Sequence, residues 1–334
     1  MIQGEKVSIK DIAKKVGVSP SLVSFVLNGK QEKYRVNAQV AQKIKEIAQE
    51  MDYKPNPIAK SLRKGRSNTI GVILSDISNP SFANIAKEIE RTAEKYDYAA
   101  LFTSSDEDSS RAENLVNNMI YRGVSGIIMV PCEGSEDLVK SIIQNNIPLV
   151  LLDRYFPKTA TSYVCLDNRK AGADITSYLI SKGYKKIGMI AYGQDLQHMK
   201  DRISGFLDTM ESSGLSHYAS VRYVNHKKIG ESCAVAVSEL LELNVEAMLF
   251  ATNSIGVNCL GHLLQKGIKI PEEMGVFGFD GGEAFDFFRP ELSFLKQPLE
   301  EMSEAVTEMI IRYIENGKST TEQLLFPGKL IIRG

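Results

Sequence analysis

Several features that mark common protein classes are missing from these 334 residues. The N-terminus is polar and lacks the apolar central region of a secretory signal peptide. No uninterrupted apolar stretch is long enough to cross a bilayer. These absences argue against an exported or membrane-spanning protein. We therefore expect a cytoplasmic protein with no membrane partner.

Cysteine and histidine are scarce, with four of each. The cysteines lie far apart and form no C-x-x-C pair, which is typical of reduced, mostly buried thiols. The histidines include no H-E-x-x-H pattern, so we interpret each as a surface or incidental residue. The residues in question are Cys132, Cys165, Cys233 and Cys259, and His198, His217, His226 and His262.

Motifs that carry catalysis are also missing. There is no G-x-S-x-G elbow and no phosphate-binding P-loop. Gly275, Gly278, Gly281 and Gly282 lie close together, but they do not form G-x-G-x-x-G at a strand-to-helix turn. We therefore predict no cofactor, no metal and no enzymatic activity.

Charge is divided unevenly along the chain. Residues 1–66 contain 11 Lys and 3 Arg against 4 Glu and 2 Asp, a net charge of +8. The whole chain has a net charge of −1, so the remainder has −9. A basic head on an acidic body is the asymmetry expected of a nucleic-acid-binding domain joined to a second module.

The basic head contains the pattern of a helix-turn-helix. Ile12, Ala13 and Val16 give a first helix one apolar face, and Gly17 permits a tight turn. Ser19 is a good N-cap for a second helix, and Pro20 suits its first position. Such a second helix can enter the major groove of DNA. The alternative is an ordinary helical hairpin, and the charge favours DNA binding.

From Thr69 onward, short apolar runs alternate with amphipathic stretches. This repeated βα pattern predicts parallel sheets with helices on both faces. It begins again near Arg169, which indicates a second doubly wound unit. The fold class is therefore α/β, with an N-terminal three-helix head followed by a two-lobed core.

The residues of the head and core resemble LacI/GalR-type bacterial transcription regulators. The resemblance covers nearly the whole chain in order, and the ordered set of motifs is much stronger than any one of them. These motifs are Ser8-Ile9-Lys10-Asp11-Ile12-Ala13, Gly17-Val18-Ser19, Val23-Ser24, Val26-Leu27-Asn28-Gly29, Tyr53-Lys54-Pro55-Asn56, Ala59-Lys60-Ser61-Leu62-Arg63, Ile70-Gly71-Val72, Asp76-Ile77-Ser78-Asn79-Pro80, Gly278-Phe279-Asp280 and Gln297-Pro298.

The resemblance implies three parts: a DNA-binding domain over residues 1–55, a hinge helix and linker over 56–68, and a two-lobed effector-binding and dimerisation domain over 69–334. The lobes resemble periplasmic sugar-binding proteins. In the family, the segment that matches 57–62 folds on DNA and inserts a leucine into the minor groove, which kinks the duplex. Leu62 occupies that position here. A plain linker is the alternative.

For DNA, we expect phosphate contacts from basic residues and base reading from the outward face of the second helix. Phe25 departs from the family, where that position is more often basic. It either contacts a thymine methyl or packs against the loop 29–35, which is about three residues longer than usual. The candidate DNA-binding residues are Ser19, Pro20, Ser21, Ser24, Phe25, Asn28 and Leu62.

For a small ligand, the candidates lie at strand ends, where doubly wound sheets bind ligands, and the resemblance puts them in an effector cleft. We expect Arg202 to open a helix and to form with Asp280 a clamp for vicinal hydroxyls, while Phe82 stacks on a sugar. Alternatively, Arg154 and Arg202 are structural ion-pair partners of Asp153 and Asp280. The candidates are Asn79, Phe82, Asp153, Arg154, Arg202, Thr252, Asn253, Asp280 and Gln297.

The resulting hypothesis is a homodimeric repressor that binds double-stranded operator DNA with an affinity switched by a small ligand, a sugar or sugar derivative. A purine-type ligand is one alternative. A solute-binding protein without regulatory output is another, and an α/β enzyme is a third.

Overall fold

The computed structural model describes residues 7–53, 67–281, 285–286, 292–317 and 320–333. Contacts within the chain separate two compact units, Met1–Ser67 and Asn68–Gly334. The expected hinge helix at 57–62, with Leu62, lies outside the described residues, as does Gly282.

The first unit contains three helices: α1 (Ile9–Val16), α2 (Pro20–Leu27) and α3 (Ala38–Glu50). Gly17 ends α1 with a left-handed φ of 80°. Asn37 caps α3 by accepting hydrogen bonds from two backbone amides. The helices share an apolar core, and its buried members are Ile12, Ala13, Val23, Val26, Ala41, Ile44 and Ala48. The helix-turn-helix expectation is confirmed.

The first lobe of the second unit is a parallel sheet of six strands in the order β11-β5-β4-β3-β1-β2. Its strands are β1 (Thr69–Leu74), β2 (Ala99–Ser104), β3 (Gly126–Met129), β4 (Leu149–Leu152), β5 (Tyr163–Leu166) and β11 (Gln323–Phe326). Its helices are α4 (Pro80–Lys95), α5 (Ser109–Tyr121), α6 (Glu136–Gln144) and α11 (Leu299–Asn316).

The second lobe has a sheet in the order β12-β10-β9-β8-β6-β7, parallel except for the antiparallel pairing of β12 with β10. Its strands are β6 (Ile187–Tyr192), β7 (Ala219–Val224), β8 (Ala247–Phe250), β9 (Gly275–Phe279), β10 (Phe294–Lys296) and β12 (Lys329–Ile331). Its helices are α7 (Asn168–Ser181), α8 (Gln197–Ser212), α9 (Ile229–Glu242) and α10 (Asn253–Gln265), with short 3-10 turns at Ser216–Tyr218 and His226–Lys228.

The chain passes between the lobes three times: after β5, after β10 and after β11. The pattern of apolar runs did not predict β5 or β10. Arg202 was wrongly expected to open a helix, because α8 begins five residues earlier at Gln197.

All four cysteines are buried in the lobes, as expected. The neighbouring Cys233 thiol and burial raise the pKa of the Cys259 thiol. Within the described ranges, no helix has the length and apolar character needed to cross a membrane.

Candidate DNA-reading face and ligand cleft

The start of α2 is built as the sequence predicts. The Ser19 hydroxyl accepts a hydrogen bond from the Leu22 amide at 3.3 Å, and Pro20 occupies the first helical turn. Pro20 and Ser21 are exposed. At the other end, Asn28 Nδ2 donates to the Ser24 carbonyl at 2.6 Å and to its hydroxyl at 3.3 Å, so these two candidates are engaged with each other.

Phe25 packs against the lengthened loop. Its ring stacks on Tyr34, with 3.8 Å between ring centroids and 7° between planes. Of the two interpretations that the sequence left open, packing against the loop is therefore confirmed. One face of the Phe25 ring is covered by Tyr34, and this limits the ring's approach to a thymine methyl.

In the second unit, a cavity of about 440 Å³ opens between the lobes. It lies at the carboxyl ends of β1, β2, β4, β6, β8 and β9, where parallel sheets bind ligands. All nine candidate effector-binding residues line it: Asn79, Phe82, Asp153, Arg154, Arg202, Thr252, Asn253, Asp280 and Gln297. The fold thus brings together side chains that are up to 218 positions apart in the chain (297 minus 79).

Arg154, from the first lobe, is neutralised by a carboxylate that the sequence did not indicate. Its two terminal nitrogens donate to the two oxygens of Glu107, both at 2.8 Å. Asp153 is also at ion-pair distance, 3.4 Å from Arg154 Nε. Burial lowers the pKa of Arg154, but Glu107 more than offsets this and the net pKa is raised. The structural interpretation of Arg154 is therefore confirmed, with Glu107 as its main partner.

Arg202, from α8 in the second lobe, is 3% exposed and has neutral partners. Its Nε donates to Asn168 Oδ1 at 2.7 Å, and one terminal nitrogen donates to the Ala251 carbonyl at 2.6 Å. Its guanidinium lies 4.0 Å from the centroid of the Phe279 ring. Burial lowers the pKa of Arg202 despite the more distant charges of Asp153 and Asp280. No described carboxylate lies within ion-pair distance of Arg202, so the alternative interpretation of Arg202 as an ion-pair partner of Asp280 is wrong.

Asp280 is held at the junction of the lobes. Its carboxylate accepts a hydrogen bond of 2.8 Å from Gln297 Nε2 and a longer one of 3.5 Å from the Ser81 hydroxyl of the first lobe. Burial raises the pKa of Asp280, and this rise is opposed by the Gln297 hydrogen bond and by the charge of Arg202. Its backbone is left-handed, with φ at 55°. Gln297 Oε1 is buried and has no hydrogen-bond partner among the described residues.

His198 contradicts the interpretation of the histidines as surface or incidental. It is 5% exposed, lines the cavity, and its Nδ1 has no partner in the described part of the chain. Burial, together with the charges of Arg154 and Arg202, holds the pKa of His198 well below its usual range. The imidazole is therefore neutral at pH 7. His226 also lines the cavity.

Three other candidates have local structural duties at the cavity. Asn79 Oδ1 caps α4 by accepting from the Ser81 amide at 3.0 Å. The Thr252 hydroxyl caps α10 by accepting from the Ile255 amide at 3.2 Å. Asn253 Nδ2 donates to the Asp280 carbonyl at 3.3 Å. Each of these side chains is thereby fixed in place at the cavity wall.

Comparison with known proteins agrees with this geometry. Residues 8–56 match the model of bacterial regulatory proteins of the lacI family, and residues 176–334 match the periplasmic binding protein-like domain. The chain has the two domains of a LacI/GalR-type regulator. It is accordingly a DNA-binding regulator with a helix-turn-helix head and a periplasmic-binding-like core.

Individual LacI-type relatives align over nearly the full chain. Catabolite control protein A of Staphylococcus aureus is 26% identical over 98% of both chains. The Lac repressor dimer bound to operator and the anti-inducer ONPF has a TM-score of 0.85 at 20% identity, covering 98% of both chains. The complex of the regulator CelR with cellobiose has a TM-score of 0.72 at 22% identity, covering 98% of this chain and 99% of that one.

Several cavity residues were missed by sequence reasoning on this LacI-type chain. They include Glu107, Tyr192, His198, Gln194 and Asn258. Glu107 follows β2 and Tyr192 ends β6, so the rule that ligands meet strand ends would have found both if applied to every strand. The described residues contain no group of three or more His, Cys, Asp or Glu arranged to hold a metal ion.

Proposed function

We propose that the protein is a homodimeric repressor whose affinity for operator DNA is switched by an uncharged sugar bound between the two lobes. The observation that carries this proposal is the cavity of about 440 Å³, with its polar side chains gathered at the strand ends of both lobes. The head supplies the DNA contacts. The proposed site of action is the cytoplasm, and the proposal assigns no catalytic step to the cleft.

Hydroxyl groups suit the polar atoms that face this cavity. Gln297 Oε1 is an acceptor, and His198 Nδ1 is a donor or an acceptor according to its tautomer. Both are buried and lack hydrogen-bond partners among the described residues. A buried polar atom without a partner costs about 1–3 kcal/mol, so a ligand that satisfies it gains affinity. A polyol offers donors and acceptors at short intervals.

The charge of the cavity favours an uncharged sugar over a phosphorylated one. Four acidic residues line it, Asp76, Glu107, Asp153 and Asp280, against two arginines. Arg154 is already paired with Glu107, so only Arg202 remains for an anion. A sugar phosphate would bring about two further negative charges into a site with a negative excess. A purine would have to stack on Phe82 or Tyr192. Purines are therefore the alternative ligand class against which sugars are tested.

Relatives support the same ligand class. The CelR complex contains cellobiose, an uncharged disaccharide, and the Lac repressor structure contains both operator and an anti-inducer. A ligand that prefers one arrangement of the lobes changes DNA affinity by linkage, and operator DNA changes ligand affinity by the same factor. We propose that segment 57–62, with Leu62 at the minor groove, carries this coupling.

Thermal unfolding of the full-length protein tests the ligand class. The panel contains uncharged mono- and disaccharides, their phosphates, and nucleobases. A ligand at about 100 times its dissociation constant stabilises the folded state by about 2.7 kcal/mol, which is readily measured. We expect a rise in melting temperature with an uncharged sugar. Stabilisation by sugar phosphates or purines alone would contradict the proposal.

A second assay tests DNA binding by the head independently of ligand binding in the cleft. Binding of the wild-type protein to duplex selected from a randomised pool should weaken steeply with salt, because several phosphates are neutralised. A flat salt response would contradict the role of the head even if a sugar binds the cleft.

A further inference from the structure

The loop between α2 and α3 has a defined conformation. The Lys30 amide donates to the Phe25 carbonyl at 2.8 Å, the Tyr34 amide to the Lys30 carbonyl at 3.2 Å, and the Val36 amide to the Gln31 carbonyl at 2.9 Å. Arg35 closes the loop in the left-handed region, with φ at 50°. These bonds fix where the loop's side chains lie relative to α2.

The stack of Tyr34 on Phe25 places a second aromatic ring beside the reading helix. Ser21 and Phe25 are four residues apart on α2 and therefore share one face. Tyr34 covers Phe25 at 3.8 Å between centroids, so it extends that face. The Tyr34 side of the stack is open, with 46% of the residue exposed, and no described residue is hydrogen-bonded to its hydroxyl.

The charge around Tyr34 suits a phosphate backbone. The loop carries Lys30, Lys33 and Arg35 against a single acid, Glu32, a net charge of +2. Duplex phosphates accept hydrogen bonds from lysine, arginine and tyrosine side chains, so cationic groups beside an exposed phenol suit a phosphate contact. The ring is already immobilised by Phe25, so binding costs little additional conformational entropy.

We propose that Tyr34 is a DNA-contacting residue whose hydroxyl donates to an operator phosphate, and that Phe25 is a positioning residue that holds the Tyr34 ring. Phe25 occupies a position that is more often basic in the family. In this arrangement it supports the Tyr34 contact with phosphate instead of reading a base edge itself. The inference rests on the head binding duplex DNA.

The test uses the full-length protein and a duplex that the wild-type protein selects from a randomised double-stranded pool. Tyr34→Phe removes the hydroxyl and keeps the stack. We expect it to weaken binding about three- to tenfold, the loss of one hydrogen bond, with an unchanged melting temperature. Tyr34→Ala should weaken binding further. The matched control is Tyr218→Phe in the second unit, where Tyr218 is 41% exposed, and it should bind as wild type does.

The positioning role of Phe25 has its own readout. In Phe25→Ala the Tyr34 ring loses its stacking partner. Adding Tyr34→Phe to that variant should therefore produce little further loss of DNA affinity. Independent, additive losses would overturn the positioning role.

Three outcomes would overturn the contact. Tyr34→Phe that binds within twofold of wild type would show that the stack serves folding alone. A changed sequence preference, when Tyr34→Phe repeats the selection, would replace the phosphate contact by base reading. A wild-type protein that enriches no duplex would overturn the DNA-binding function, and this inference with it.

Discussion

The two lobes present arginines to the same cleft in opposite electrostatic situations. Arg154 of the first lobe is held by both oxygens of Glu107 at 2.8 Å, and its net pKa is raised although burial lowers it. Arg202 of the second lobe donates to an amide oxygen and a carbonyl, and burial lowers its pKa. One cation is neutralised within the protein and the other is not.

This difference assigns different tasks to the two sides of the cleft. The pair of Arg154 with Glu107 is complete without a ligand, so it contributes to the stability of the folded state. The second lobe keeps a buried guanidinium above Phe279, near the carboxylate of Asp280 and the unpartnered Nδ1 of His198. Its unused hydrogen-bonding capacity is what a ligand can satisfy. Variants on the two sides should therefore separate stability from ligand response.

Breaking the first-lobe pair should have the largest effect on stability. Glu107→Gln leaves Arg154 buried without its main counter-charge, and we expect a loss of about 3 kcal/mol in the free energy of unfolding. Denaturant unfolding measures it. The exposed Glu113→Gln on α5 is the matched control, with an effect near zero. A loss no larger than that of the control would mean that Arg154 is balanced by Asp153 alone.

Removing Arg202 of the second lobe should reduce stability less than Glu107→Gln does, but it should remove the response to the sugar. Arg202→Met strands two buried acceptors, Asn168 Oδ1 and the Ala251 carbonyl, but no charge, so we expect a loss of about 2 kcal/mol. Thermal stabilisation by the sugar should disappear. The control is the exposed Arg169→Met, which loses only a surface ion pair. Retained sugar binding in Arg202→Met would contradict the assignment of ligand recognition to this side.

The neutral imidazole predicts a pH dependence. Below its ordinary pKa of 6.5, the unfolded chain protonates His198 while the folded chain does not, because burial holds the folded pKa well below that value. The free energy of unfolding should therefore decrease as pH falls, by at most about 1.4 kcal/mol per pH unit from this residue. Unfolding of His198→Gln between pH 7.5 and 5.5 should show a shallower decrease. The exposed His217→Gln should retain the wild-type slope.

The smallest expected effect on stability is an increase, and it comes from a change at Asp280. Burial raises the pKa of Asp280, so the folded state disfavours the charged carboxylate. The contribution of Asp280 to stability is therefore lost as pH rises through its folded pKa. Asp280→Asn should raise stability at pH 7.5 by about 0.5 kcal/mol, and it should abolish the sugar response. The control Asp97→Asn has a similar backbone, with φ at 60°, on the surface. A destabilised Asp280→Asn would mean that the carboxylate supports the fold.

Much of the cleft followed from the sequence because strand ends are readable from apolar runs. Asp153, Thr252 and Asp280 each come just after such a run, and the topology of parallel sheets brings the ends of these runs together. The helix-turn-helix was equally readable, since Gly17 and Ser19 mark the turn and the cap.

The remaining features depend on contacts that no local pattern encodes. Glu107 lies 47 positions before Arg154, and only the fold shows that they pair. His198 was misread because α8 begins at Gln197 without a side-chain cap, so no start signal indicated that it belongs to a buried helix.

The most direct test of the whole account joins the head to the cleft. Fluorescence anisotropy would follow a labelled, selected duplex bound to the full-length protein while uncharged sugars and their phosphates are added. The account predicts that an uncharged sugar changes operator affinity in the wild type and has no effect in Arg202→Met, which still binds the duplex. A response only to sugar phosphates, or an undiminished response in Arg202→Met, would contradict it.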